Sequence, residues 1–306
     1  MIAKHQKLLV LFFSIFFFGC IAGSEDRKDV VLLIPNTKNM ETISLINNLE
    51  RNLMKSGFSF KYLEGVAGLS GQAESIRLLL KNTPDYLIIE PSKTIGISDV
   101  IEDCFNLGVK VIFLNSTAKL NDEIQITAKV KADNEKEGRL AAEGFSQFFN
   151  GNTGNIIEIQ GKLGYSITKD RAIGFRTQLQ KYDNLEILDV IQNCENRFSA
   201  YSSTLEVIEE NRENLNAVFA HNDIIGMGVL DALIEANINI PIISIGGSED
   251  VVKAIISTCY YGVIKSDSGT EFLVEIISGS GEQKKYYILE SKYYNKETAD
   301  RLLHED

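Results

Sequence analysis

Arg171 is the residue whose surroundings say most about chemistry. It lies in the stretch Asn155 to Arg176, NIIEIQGKLGYSITKDRAIGFR. A guanidinium presents five N–H donors in a fixed fork, suited to carboxylates, phosphates or ring hydroxyls. Ile156, Ile157 and Ile159 make a short β-branched run of the kind a buried strand needs. Gly161 and Gly164 break that run, and Ile167, Ile173 and Phe175 then recur as the apolar positions of a helix. Strand, glycine loop and helix in this order put the loop at the carboxyl edge of a parallel sheet, where open α/β folds bind ligands. Spacing alone leaves a second reading open, in which Arg171 forms a surface ion pair with Asp170 or Glu158.

Catalytic chemistry finds no comparable cluster. The chain has three histidines, His5, His221 and His304, and neither a G-x-S-x-G elbow nor an H-E-x-x-H pair. A His-based metal cluster or Ser-His-Asp triad therefore cannot be assembled. The glycines after the first apolar run match neither a dinucleotide fingerprint nor a P-loop. His221, beside Asn222 and Asp223, reads as a packing or hydrogen-bonding residue. No catalytic residue, metal or cofactor is expected, and the protein is read as a non-enzyme.

The polar residues at the ends of strand-like runs carry more. They are Asn36 to Asn39, Glu90 to Lys93 and Asn115 in the first half. Gly161 to Tyr165, His221 to Asp223 and Gly246 to Ser248 follow in the second. Polar groups converging on one cleft make a hydrogen-bonding site for a small polar ligand. Asn222 also fits an N-cap for the helix after it, and the two roles are compatible.

The elements that must position these groups alternate regularly. Strands are predicted at Val30–Ile34, Phe58–Leu63, Tyr86–Ile89 and Val109–Leu114, with helical periodicity through Ile43–Leu53, Ala73–Leu80 and Ile97–Leu107 between them. The interval 115–131 is polar apart from an extended piece near Ile124–Val130, and the first crossing between domains is placed there. A second series runs through helix Glu135–Phe149, strand Ile156–Ile159, helix Ile167–Lys181, strand Leu185–Ile191 and helix Phe198–Asn211. It continues with strand Ala217–Ala220, helix Asp223–Ala236, strand Ile240–Ile245, helix Glu249–Ser257 and strand Tyr260–Ile264. Helix Thr270–Ile277 and strand Lys285–Leu289 close the pattern. Repeated βα steps imply parallel sheets covered by helices on both faces. The fold class is α/β, two similar doubly wound lobes joined by crossover hinges. One lobe takes 30–116 with 266–282, the other 117–265 with 283–292, and 293–306 is read as a tail.

Composition sets the class. The 306 residues are 44% hydrophobic and 24% charged, as in folded globular proteins, and suit two domains. A net charge of −11 without a basic stripe argues against nucleic acid, whose phosphates require clustered Lys and Arg. Lys4 and Lys7 precede an apolar run from Leu8 to Phe18, too short to span a bilayer and right for a signal-peptide core. Residues 1–19 are therefore read as a signal peptide. Phe17-Phe18-Gly19-Cys20 resembles a bacterial lipobox, with Cys20 as the acylated residue and 20–29 as a polar tether. The expected location is the bacterial cell membrane, facing the periplasm or exterior. Cys104, Cys194 and Cys259 are odd in number and lack C-x-x-C spacing, which predicts buried free thiols.

Several segments together resemble the ribose/galactose-type substrate-binding proteins of bacterial ABC importers, which share their fold with the ligand domain of lac-repressor-type regulators. They are Ala132-Asp133-Asn134, Ile159-Gln160-Gly161 leading to Asp170-Arg171 and Gly174-Phe175, and Phe219-Ala220-His221-Asn222-Asp223 with Gly226 and Gly228. The resemblance spans about residues 30–290. It implies a two-lobed monomeric receptor that closes on ligand by hinge motion and presents it to a membrane permease. Arg171 and Asn222 match the family's sugar-contacting positions, and Asp133 lies in a matching motif near the cleft.

Other family positions differ. An aromatic pair is replaced by Glu41 and Thr42, a carboxylate by Lys93, and an aspartate–arginine pair by Asn115 and Ser116. Glu195, Gly246 and Ser266 stand for an aromatic, an aspartate and a glutamine. The candidate ligand-binding set is Asn39, Glu41, Glu90, Lys93, Asn115, Asp133, Tyr165, Arg171, Asn222, Ser248 and Ser266. Lys93 and Arg171 in one cleft would favour an anionic group. A second function stands beside import: a lipoprotein that senses a ligand and signals to a membrane partner.

Overall fold

The computed structural model describes residues 27–34, 40–65, 69–91, 96–116, 118–121 and 123–303. The chain begins β1 (Asp29–Ile34), α1 (Met40–Lys55), β2 (Ser59–Glu64), α2 (Leu69–Leu79), β3 (Tyr86–Ile89), α3 (Ser98–Asn106), β4 (Lys110–Leu114) and β5 (Ala128–Ala132). It continues α4 (Asn134–Phe149), β6 (Gly154–Ile159), α5 (Ser166–Leu179), β7 (Leu185–Ile191), α6 (Arg197–Asn211), β8 (Ala217–Ala220) and α7 (Asp223–Glu235). The last elements are β9 (Ile242–Ile245), α8 (Glu249–Ser257), β10 (Tyr260–Ser266), α9 (Thr270–Ser278), β11 (Tyr286–Leu289), β12 (Ser291–Asn295) and a 3-10 turn, Ala299–Leu303.

Two six-stranded sheets result, ordered β11-β5-β4-β3-β1-β2 and β12-β10-β9-β8-β6-β7. All ladders are parallel except β10 with β12. Central strands such as β3, YLII, and β8, AVFA, are buried on both faces and so read as unbroken apolar runs. Helices seat one apolar stripe on each face: Leu45, Ile46, Leu49 and Leu53 of α1 pack beneath the first sheet with Leu273 and Ile276 of α9. Phe145 and Phe175 cover the second sheet over Phe219, the last two rings stacked at 4.3 Å. Each sheet reverses strand order at one point, between β1 and β3 and between β6 and β8. Loops at the carboxyl ends of those strands border a crevice.

The strand pairing moves the lobe limits given by the sequence. β5 pairs with β4, Ile112 opposite Ala128, so the 115–131 interval stays with the first sheet and the chain first crosses at Asp133. β11 also joins the first sheet, Tyr286 opposite Lys129, instead of completing the second lobe. The expected tail forms β12 on the second sheet, with Ala299 and Leu302 buried in that lobe's core. Only Glu290 separates β11 from β12, so one apolar run conceals two strands in different sheets.

The chain thus crosses three times: β5 to α4 at Asp133, β10 to α9 through Asp267–Gly269, and β11 to β12 at Glu290. Every crossing leaves the carboxyl end of one strand and enters the other lobe at its carboxyl edge, which sets the two carboxyl edges face to face. Asp267 N–H donates to the Glu290 carbonyl at 3.0 Å and ties two crossings together. Cys104 and Cys194 are buried free thiols, and Cys259 is half-buried.

Candidate functional site

On the second lobe the site is built around α4 and α5. These helices meet at Gly138 and Gly174. A Cβ at Gly138 would lie 2.1 Å from the Arg171 carbonyl oxygen, and one at Gly174 would lie 1.9 Å from that of Glu135. Backbones this close bring Glu137 of α4 against Arg171 of α5. Arg171 Nε donates to Glu137 Oε2 at 3.0 Å, and its terminal Nη2 meets the same oxygen at 3.0 Å. Nη1 donates to the carbonyl of His221 at 2.5 Å, which fixes the guanidinium at the carboxyl end of β8. Arg171 is 16% exposed and Glu137 1%, so the pair is largely out of water. Among the described residues three of the fork's five N–H groups are engaged, which leaves two for a ligand. The partner is neither Asp170 nor Glu158, and the charge that would draw an anion already faces a carboxylate.

Glu158 has a separate role beneath the same edge. Its buried carboxylate accepts from Gln160 Nε2 at 2.9 Å and from Arg176 Nε at 2.8 Å, and lies 2.9 Å from His221 Nε2. Burial alone would raise its pKa, but hydrogen bonds from His221, Gln160 and Arg176 hold it below the ordinary carboxylate value. Burial lowers the pKa of His221 against the pull of Glu158. A neutral imidazole donating Nε2–H to an ionised Glu158 satisfies both directions. His221 is thus a structural hydrogen-bonding residue, as the sequence suggested.

Asn222 caps α7, its Oδ1 accepting from the Ile225 N–H at 2.9 Å. Its amide nitrogen lies over Gly161. Asp223 beside it organises the next loop, accepting from Ser244 Oγ at 2.6 Å, Gly247 N–H at 2.7 Å and Ser248 N–H at 2.6 Å. Any side chain at Gly246 would come within 2.6 Å of that carboxyl, so the residue type there and Asp223 are linked. Ser248 occupies the N-cap position of α8 without a side-chain cap bond. Tyr165 precedes α5, its ring 5.9 Å from Lys162 Nζ.

On the first lobe, Glu90 follows β3 and Asn115 follows β4, in a left-handed conformation (φ 58°). Glu90 as a residue is half-buried, but its carboxyl lies beneath its neighbours. Burial pushes its pKa up to about 7, against a hydrogen bond from Asn115. Gln72 Nε2 holds the Glu90 carbonyl at 2.7 Å. Asp133 sits at the first crossing, caps α4 by accepting from Lys136 N–H at 2.9 Å, and meets Arg139 at 3.5 Å. Ser266 ends β10 opposite Ser291, at the second crossing.

The structure therefore brings Arg171, Asn222, Ser248 and Tyr165 to one edge, Glu90 and Asn115 to the other, and Asp133 and Ser266 to the crossings. Glu41 falls in the first turn of α1. Asn39, Lys93 and Cys20 lie outside the described residues. Glu137 is an organising carboxylate that sequence reasoning did not single out, and Asp223 is one whose partners it did not give. Among the described residues no group of three His, Cys, Asp or Glu could hold a metal ion.

The model of the periplasmic binding protein domain matches residues 30–271. The chain belongs to that family. The galactofuranose-binding protein of Escherichia coli is 27% identical over 208 residues, 66% of this chain and 65% of that relative's length, just under two thirds of it. The ribose import binding protein of Bacillus subtilis is 24% identical over 234 residues, covering 76% of this chain and 74% of the relative. The crystal structure of a galactofuranose binding protein superposes with a TM-score of 0.82 at 23% identity, covering 90% of this chain and 97% of that one. That likeness shows the shared fold: two parallel-sheet α/β lobes.

Proposed function

We propose that this protein is a lipid-anchored extracytoplasmic receptor that closes on a small, polar, sugar-like ligand and delivers it to an ABC importer. The observation that carries the reading is the placement of Arg171 and Asn222 at the carboxyl edge of one sheet, opposite Glu90 and Asn115 at the other. Groups on two edges that meet only through three crossings can contact one ligand together, and hinge closure then follows from ligand contact. Relatives named for galactofuranose, ribose import and xylitol support a ligand rich in hydroxyl groups. Relatives named for import also put delivery ahead of signalling as the role. Cys20, in its lipobox-like setting, would supply the anchor, and the acyl chains would hold the body to the membrane.

A thermal-shift screen tests the ligand reading across pentoses and hexoses that populate furanose and pyranose forms, polyols, nucleosides and organic acids. Saturable stabilisation by at least one polyhydroxyl compound is expected. Stabilisation by organic acids alone would contradict it. For the anchor, growth with an alkyne-tagged fatty acid should label the wild type and leave Cys20→Ser unlabelled; equal labelling would remove Cys20 from the account.

A further inference from the structure

We infer that Glu137 is a specificity-determining residue: it cancels the charge of Arg171, so that the cleft offers guanidinium N–H donors to an uncharged ligand and rejects anionic ones. The inference rests on the reading that Arg171 faces the ligand.

Its basis is geometric. Glu137 is buried on α4, one residue from Gly138, whose missing side chain lets the two backbones touch. Two nitrogens of Arg171 converge on one of its oxygens, Oε2, each at 3.0 Å. Its other oxygen, Oε1, lies 3.5 Å from Ser291 Oγ at the third crossing. A phosphate or carboxylate arriving at Arg171 would have to share the guanidinium with a fixed negative charge, in a partly dehydrated setting where like charges repel strongly. A hydroxyl has no such conflict. It accepts from one of the two remaining N–H groups, and its dipole tolerates Glu137 nearby. The device selects by repelling the wrong ligand as well as by attracting the right one.

Inorganic phosphate is the probe, titrated against residues 27–306, a body containing both sheets and both cores complete, with sodium chloride matching the ionic strength. The wild type should show no saturable thermal stabilisation by phosphate. Glu137→Gln, which keeps a hydrogen-bond acceptor but frees the charge, should bind phosphate at least about tenfold more tightly, equivalent to about 1.4 kcal/mol. Adding Arg171→Gln to Glu137→Gln should abolish that gain. Glu137→Asp keeps the charge one methylene short and should remain blind to phosphate, which keeps a test in hand if Glu137→Gln does not fold. Saturable phosphate binding by the wild type or by Glu137→Asp would overturn the inference, as would its absence from a folded Glu137→Gln. Failure of the underlying reading looks different: Arg171→Ala would then bind the polyhydroxyl ligand as well as the wild type, whatever the phosphate result.

Discussion

The two edges of the cleft are built differently. On the second lobe the groups that shape the site already have fixed partners within the lobe. Arg171 is held by Glu137 and His221, Glu158 by three donors, and the 246–248 loop by Asp223. On the first lobe, Glu90 has a carboxyl whose chief influence is its own burial, opposed by one hydrogen bond from Asn115. The second lobe is a preorganised platform, and the first is the half whose protonation can answer to its surroundings. A receptor that must hold one ligand geometry and then release it has a use for both, since preorganisation reduces the ordering cost of binding.

Breaking the platform should have the largest effect. Glu158→Ala leaves His221, Gln160 and the Arg176 guanidinium without their shared acceptor. Each buried donor left without its acceptor costs about 1–3 kcal/mol, and His221 and Gln160 both lose theirs, so a large fall in the denaturation midpoint is expected by chemical unfolding. A loss under about 1 kcal/mol, the size of one ordinary hydrogen bond, would show that the network is not what holds the lobe. Next comes the helix contact that positions Arg171. Gly174→Ala forces a methyl group into the Glu135 carbonyl. Overpacking of this kind costs about 1–3 kcal/mol. The same variant should weaken ligand binding, because α5 must shift and carry Arg171 with it. Stability loss with unchanged affinity would separate the helix contact from the site.

The pH-dependent effect belongs to the first lobe. Glu90 has a folded-state pKa of about 7, above its ordinary value of 4.5. A carboxyl with a raised folded pKa contributes stability that is fully present below the unfolded value and lost as pH rises through the folded one. Wild-type stability should therefore decline across pH 4.5 to 7 through this group. Glu90→Gln should flatten that part of the profile and lose nothing at pH 8. An unaltered profile in Glu90→Gln would return Glu90 to an ordinary surface role.

Much of the architecture was legible in the chain because buried parallel strands are short β-branched runs and their helices repeat every three to four residues. What local patterns cannot express is which sheet a strand joins. β5 and β11 lie side by side but more than 150 residues apart in sequence, and β12 begins one residue after β11 ends in the other sheet. The site divides the same way. Arg171 and Asn222 stood out because their neighbours form recognisable segments. Glu137 did not, because Glu135-Lys136-Glu137 reads as the solvated first turn of a helix, where acidic residues are expected. Only the close approach at Gly138 turns one of those carboxylates inward. Asp223 was visible as a polar residue at a strand end but its partners were not, since its three donors come from residues 21 to 25 positions later.

The most direct measurement is calorimetric titration of the wild type and Arg171→Ala with the polyhydroxyl compound that stabilises the wild type. Hydrogen bonds from a charged donor are worth about 1.5–3 kcal/mol, so Arg171→Ala should bind at least about tenfold more weakly, with its fold intact by circular dichroism. Equal affinity in the two proteins would contradict the claim that the ligand lies between the carboxyl edges of the two sheets, in reach of Arg171.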